Sequence, residues 1–235
     1  VVIIENQESV YRHEIKYFIN KKQAAELKLF LRSYMNLDSN INNTGSYWIR
    51  SLYFDTIDNK DYYEKIIGHN NRKKIRLRIY NTSTKVVKLE IKNKYNNYIL
   101  KETTTISRED ANKLICGDCN SLLNYDQNVT NKVFALMHSN LYRPTVIIDY
   151  EREAYLYDFH NIRITIDKNL RSYFNPYDLF EKDICMIPVI NDDVFILEVK
   201  YDHIIPIFLQ KVLSNFMLQR SQISKYCMGR NILGK

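Results

Sequence analysis

The chain has 235 residues, 45% of them hydrophobic, which suits one large globular domain or two small ones and excludes wholesale disorder. Its 34 Lys+Arg against 27 Asp+Glu leave a net charge of +7, which points to an anionic partner without choosing among nucleic acid, lipid and phosphate compounds. With 5 Gly in all, a Gly-rich phosphate loop is excluded, and 4 Pro leave no Pro-rich linker.

In chain order, Tyr11–Tyr17 alternates charged and apolar residues as a strand does, and a helical stretch follows over Lys21–Tyr34. Tyr47–Asp55 reads as a strand, with Asp58 as the N-cap of a helix running through Lys65. Lys73–Tyr80 and Lys85–Lys94 form a predicted strand pair across the turn Asn81-Thr82-Ser83-Thr84, and Tyr98–Thr105 extends this meander. A helical insert spans about 108–140, broken over Tyr125–Asn131. Strands return at Pro144–Glu151, Glu153–Phe159, Asn161–Asp167 and Val194–Tyr201, and helices end the chain near Ile205–Leu218 and Ser221–Gly229. The expectation is one antiparallel α+β domain over residues 1–235. No apolar run nears the roughly 20 residues of a membrane span. Val1–Glu8 lacks the basic flank and cleavage site of a signal peptide, and four Cys fit a reducing, cytoplasmic setting.

Residues i, i+2 and i+4 of a strand share a face. That rule groups Arg12, Glu14 and Lys16; Arg76 and Arg78; Lys88, Glu90 and Lys92; Arg163, Thr165 and Asp167; and Glu198 and Lys200, with Arg152 closing the strand from Pro144. For any one strand, a solvated sheet face is the ordinary explanation. As a set the faces are unusual, being rich in Arg and Lys with a carboxylate between or beside them on most strands. If the sheet closes into a barrel, they line an interior that repels itself unless it binds a polyanion, with a divalent metal on the carboxylates.

Arg12-x-Glu14-x-Lys16-Tyr17, Leu52-Tyr53-Phe54-Asp55-Thr56, Arg76-x-Arg78-x-Tyr80, Leu89-Glu90-x-Lys92, Tyr150-x-Arg152-x-Ala154, Arg163-Ile164-Thr165-x-Asp167, Leu197-Glu198-x-Lys200 and Ser224-Lys225-Tyr226-x-x-Gly229 occur in that order. The series resembles the polyphosphate polymerase domain of the vacuolar transporter chaperone (VTC) complex, within the CYTH or triphosphate-tunnel metalloenzyme superfamily, over about residues 10–230. The resemblance implies a closed antiparallel β-barrel whose basic tunnel transfers the γ-phosphoryl group of ATP to polyphosphate, with Mn²⁺ or Mg²⁺. Motif by motif, it implies phosphate-binding cations at Arg12, Lys16, Arg76, Arg78, Lys92, Arg152, Arg163, Lys200 and Lys225, with Ser224 beside the last. Lys65 stands where the family has a further cation, and Lys101 falls on the strand after Lys92. Glu198 aligns with the metal-binding glutamate, with Glu14 and Glu90 as second acids; Lys200, Arg76, Arg78 and Glu198 would carry the transfer. The implied partners are ATP and a polyphosphate or pyrophosphate acceptor, with a membrane protein as partner left open. Nucleic acid is disfavoured, because cations alternating with carboxylates on one face suit it badly. Arg12 replaces the first acid of the Glu-x-Glu-x-Lys typical of the superfamily's hydrolases and cyclases, which favours polymerase over triphosphatase. A metal-dependent triphosphatase, or a non-catalytic module binding polyphosphate or inositol phosphates, are the alternatives.

Other signals have plainer explanations. Cys116-Gly117-Asp118-Cys119 reads as a turn between helices, since no second ligand pair accompanies it. Asp55, Asp58 and Asp61 read as capping residues, and the five His show no ligand spacing. Arg72-Lys73-Lys74 reads as a solvated turn or rim, with guidance of polyphosphate toward a tunnel mouth as the alternative.

Overall fold

A computed structural model describes residues 13–41, 45–81, 86–96, 98–232 and 234. Tyr11, Arg12, the turn residues Thr82–Thr84 and Lys85 lie outside the described residues. Strand β1 (His13–Asn20) runs into helix α1 (Lys21–Tyr34) through a reciprocal cap: the Asn20 side chain accepts from the Gln23 amide at 2.8 Å, and Gln23 Oε1 accepts from the Asn20 amide at 2.9 Å. The short β2 (Asn36–Leu37) precedes β3 (Tyr47–Asp55) and α2 (Lys60–Ile66). Asp58 does not cap α2. That position belongs to Asn59, in the left-handed region at φ 58°, with no side-chain cap bond. Asp55, at the end of β3, instead accepts from the amides of Asp61 (2.9 Å) and Tyr62 (3.0 Å), so a tertiary contact satisfies the helix start.

The meander β4 (Asn71–Tyr80), β5 (Val87–Tyr95) and β6 (Tyr98–Ile106) follows as expected. In the helical insert, α3 (Arg108–Ile115) and α4 (Asn128–Asn140) are separated by Cys116–Gln127, earlier than the polar stretch suggested, with Cys116 and Cys119 as free thiols in that connection. Two expected strands are one: β7 runs from Arg143 to Tyr157 with a register shift between Asp149 and Glu151. A bulge absorbs the irregularity that alternation reads as a break. Then come β8 (Ile162–Tyr173), β9 (Ile187–Pro188), β10 (Val194–Tyr201), α5 (Ile207–Asn215) and α6 (Lys225–Ile232). Among the described residues, no helix is long and apolar enough to cross a membrane.

The strands form one antiparallel sheet in the order β1-β10-β8-β7-β3-β4-β5-β6, with β2 on β7 and β9 on β8. The expected closed barrel is corrected here, because β1 and β6 are not paired and the sheet is not closed by hydrogen bonds. The free edge of β1 is taken by the chain entering α6: Tyr17 bridges Arg220, and the Ser221 amide donates to the Lys16 carbonyl at 2.9 Å. The sheet nevertheless curls. Six strand spacings separate β1 from β5, about 29 Å in a flat sheet, yet Lys92 Nζ of β5 lies 2.7 Å from Glu14 Oε2 of β1. Side chains thus meet across the concavity where the backbone does not.

Two apolar layers cover the convex face. Leu52, Phe54, Ile75, Leu77, Leu89 and Ile91 pack under α3 and α4, while Ile164, Ile166, Leu197 and Val199 pack under α1 and α5. A third cluster lies on the concave side, where Tyr226 and Cys227 of α6 meet Tyr53, Ile148, Tyr150 and Ile196. Gly229 permits that approach, since a Cβ there would fall 2.1 Å from Ile148 Cδ1 and 3.2 Å from Ser172 Cβ. Tyr226 OH donates to Asp55 Oδ2 at 2.5 Å and accepts from Arg230 Nη1 at 3.0 Å, fixing α6 against the end of β3.

Candidate functional site

Strand register brings the charged faces together on the concave side. Lys16 lies opposite Glu198 and Glu14 opposite Lys200; across the sheet, Arg152 lies opposite Asp167, Tyr53 opposite Arg76, and Arg76 opposite Glu90. The opposite parity of the same strands supplies the buried core, so one alternation both stabilises the sheet and loads its inner face.

Three carboxylate-centred groups result. In the first, Lys16 Nζ lies 2.8 Å from Glu14 and 3.7 Å from Glu198, Lys92 Nζ 2.7 Å from Glu14, and Lys200 Nζ 2.5 Å from Glu198. Burial and the neighbouring Glu198 push the Glu14 carboxyl up, but Lys16, Lys92 and Lys200 outweigh them and hold it well below the usual range. Glu198 is likewise held low: burial opposes ionisation, and Lys200, Lys16, Lys225 and Arg152 overcome it. In the second group, Glu90 meets Arg76 Nε at 2.6 Å, Lys101 Nζ at 2.6 Å and Arg78 Nη1 at 3.6 Å. In the third, Asp167 accepts two bonds from Arg152 (2.7 and 2.8 Å) and pairs with Lys225 at 2.7 Å. Burial disfavours its charge, yet these two cations hold its pKa below the ordinary value.

Cations outnumber acids throughout this surface, and burial shows the strain. It lowers Lys92 and Lys101 to about 8 even with a glutamate beside each. Tyr150 lies under two of the charges, 5.2 Å from the Arg152 guanidinium and 4.8 Å from Lys225 Nζ.

Not every expected residue joins these groups. Arg163 turns to Asp38 (2.7 Å) and the Tyr47 hydroxyl (3.0 Å), and Lys65 on α2 meets only Gln222, at 3.3 Å. Ser224 Oγ accepts from Lys74 Nζ at 2.7 Å. Arg12 lies outside the described residues.

Sequence reasoning missed three members. Lys74 was grouped with a solvated turn, but it is on β4, two residues before Arg76 and on the same face, and burial lowers it to about 8. Tyr53 accepts from Arg76 Nη1 at 2.9 Å; burial opposes its ionisation, but Arg76, Arg78 and Lys74 bring it down to about 8. Asp167 was placed on the charged face without a role, and it organises Arg152 and Lys225. Parity alone would have found Lys74; the other two depend on contacts between distant strands.

Among the described residues, no group of three or more His, Cys, Asp or Glu is placed to hold a metal ion. Glu14 and Glu198 offer two hard oxygen donors on neighbouring strands, both within reach of Lys16. That set fits an ion of the Mg²⁺ type, which takes one or two carboxylates and completes its shell with water and substrate phosphate. Glu90 stands apart from this pair, enclosed by Arg76, Arg78 and Lys101.

The family model described as the VTC domain matches residues 11–234. No curated protein matches the chain. Among solved structures, a Bacillus halodurans protein provisionally named an adenylate cyclase aligns with a TM-score of 0.52 at 12% identity, over 91% of this chain and 95% of its own. At that identity the likeness is one of fold. A Pyrococcus horikoshii protein aligns with a TM-score of 0.47 at 12% identity, over 96% and 100%.

Proposed function

The chain belongs to the VTC domain family, and we propose that residues 1–235 work as one domain, an ATP-dependent polyphosphate polymerase that moves the γ-phosphoryl group of ATP onto a polyphosphate end. The observation that carries this reading is the cation excess on the curled inner face, with two carboxylates, Glu14 and Glu198, held ionised beside one another. Phosphoryl transfer needs little covalent help: donor and acceptor must be held in line and the developing charge neutralised.

In this assignment Arg76 and Arg78 present forked donors to the transferred group, with Glu90 fixing their direction. Lys16, Lys92 and Lys200 leave their glutamates for phosphate oxygens as substrate enters. Arg152 and Lys225, aligned by Asp167, hold the neighbouring phosphates. Glu14 and Glu198 would hold Mn²⁺ or Mg²⁺, which supplies charge neutralisation at phosphate oxygens when bound. The terminal phosphate of the acceptor attacks, so no protein nucleophile is required. Arg12 and Arg163 are assigned to outer phosphates of the same track.

Incubation with ATP, Mn²⁺ and pyrophosphate should give a ladder of long polyphosphate on a gel. Absence of chain growth across metals and primers would sink the polymerase reading. Phosphate release without growth would instead establish a triphosphatase working in the same tunnel.

A further inference from the structure

The carboxylates are unevenly distributed over the inner face. Glu14, Glu90, Asp167 and Glu198 serve one region, but toward the start of β4 the cations continue without them. Arg72 lies directly opposite Lys94, and Lys74 directly opposite Lys92, two successive cross-strand pairs of like charge. Like charges directly opposite destabilise a sheet. Lys65 of α2 stands over the same end, and its ammonium is disfavoured by burial and then by Arg72, Lys16 and Lys94. Arg72 is lowered by burial, with only distant relief from Cys227 and Glu64, and Lys94 is lowered by burial and by Arg72.

None of Lys65, Arg72, Lys74 and Lys94 has a carboxylate within ion-pair distance among the described residues. Their bonds go to neutral oxygens: Gln222 for Lys65, the His69 carbonyl for Arg72 (2.7 Å), Ser224 Oγ for Lys74 (2.7 Å) and the Asn96 carbonyl for Lys94. The ladder continues the row that begins at Arg76, and Arg72 to Arg76 spans about 13 Å of strand. Repulsion held in place along one continuous line, with neutral acceptors for company, is what an extended polyanion would relieve.

We propose that Lys65, Arg72, Lys74, Lys94 and Ser224 form a second, metal-independent subsite for a linear condensed phosphate, distinct from the glutamate-bearing region. Assigning it to the acceptor chain rests on the polymerase reading; the anion site itself does not. The chemistry divides the tunnel. Phosphates beside Glu14 and Glu198 need a divalent ion between them and the carboxylates, whereas phosphates along the ladder meet bare cations and need none.

Calorimetric binding in EDTA reads this directly, with pyrophosphate, tripolyphosphate and a longer linear polyphosphate as probes. Wild type should bind without metal, more tightly as the chain lengthens. Lys74→Gln, and separately the outer triple variant Lys65→Gln/Arg72→Gln/Lys94→Gln, should each weaken the long probe at least tenfold. Glu198→Gln should bind it as well as wild type or better. The triple variant should also melt at a higher temperature than wild type without ligand, because it removes the repulsion, so weak binding accompanied by lower stability would count against the proposal. No binding in EDTA, binding unchanged in both ladder variants, or binding lost in Glu198→Gln would overturn it. So would equal displacement of the probe by a single-stranded oligonucleotide, which would make the ladder a nucleic-acid surface. Chain growth does not enter the measurement, so failure of the polymerase assay and failure of the subsite remain separate outcomes.

Discussion

Two buried arginine–aspartate pairs sit on opposite faces of the same sheet. On the convex side, Arg50 grips Asp149 through Nε (2.9 Å) and Nη2 (2.9 Å) and donates its remaining hydrogens to the carbonyls of Leu179 and Glu181. One cation meets one anion there, and backbone acceptors finish the set. On the concave side, Arg152 makes the same fork on Asp167, but Lys225 also presses on that carboxylate and Glu198 stands near. The carboxyls respond in opposite directions. Burial dominates at Asp149 and raises it despite Arg50, whereas Arg152 and Lys225 together lower Asp167. A buried ion pair is therefore no mark of a binding site; surplus charge around the pair is.

The most severe test exchanges the two arginines' consequences. Arg152→Gln should reduce chain growth by about 10²–10³-fold, the scale of losing one transition-state donor, while denaturant midpoints move far less. Arg50→Gln should do the reverse, costing about 3–5 kcal/mol of stability by stranding Asp149 while activity per folded molecule survives. Equal kinetic losses in the two variants would erase the distinction.

Next in size is the effect of pH on anion binding. Lys74, Lys92 and Lys101 lose their protons near pH 8 in the free protein. Bound phosphate favours the charged ammonium and raises these values. Affinity for tripolyphosphate should thus be full below pH 8 and fall above it, and binding at pH 8 should take up protons. Calorimetry in two buffers of different ionisation enthalpy gives the sign, and proton release would contradict it.

Gly229→Ala comes third. A methyl driven into Ile148 and Ser172 should cost about 1–3 kcal/mol, and Ile148→Val should restore part of it in a double-mutant cycle read by urea unfolding.

The smallest effect extends the comparison to a third buried aspartate. Asp61 has Lys73 at 3.8 Å and two hydrogen bonds from the Tyr142 hydroxyl. Burial and then Asp55 push it up to about 7. Its folded pKa exceeds the unfolded value of about 3.9, so the folded state binds more protons between the two and stability falls as pH rises from about 4 to 7. Asp61→Asn should lose that slope and melt a few degrees above wild type at pH 8 (of order 1 kcal/mol), with the gap narrowing toward pH 4. From Asp61 through Asp149 to Asp167, more cation at close range turns the shift from upward to downward.

Local rules made much of this legible. The two-residue period put Arg76 with Arg78, Glu198 with Lys200, and the apolar partners of each in the core. The Asn20–Gln23 cap matches the expected start of α1. What escaped was set by contacts between distant segments. Asp55 usurps the capping role given to Asp58, the bulge after Asp149 joins two expected strands, and residues 220–221 occupy the edge that would have closed a barrel. Lys74 was hidden by its neighbours: three consecutive cations resemble a solvated turn, although parity with Arg76 separates Lys74 from Lys73.

The pairing of β1 with β10 carries one more consequence. Glu14 and Glu198 become neighbours only when segments more than 180 positions apart in the chain align side by side. Such a pairing defers its reward until a very long loop has closed. The meander β4–β6, built from adjacent hairpins, can form far sooner. On refolding, its burial should therefore precede the arrival of the two glutamates, and competence for metal-dependent chemistry should lag behind the gain of bulk secondary structure.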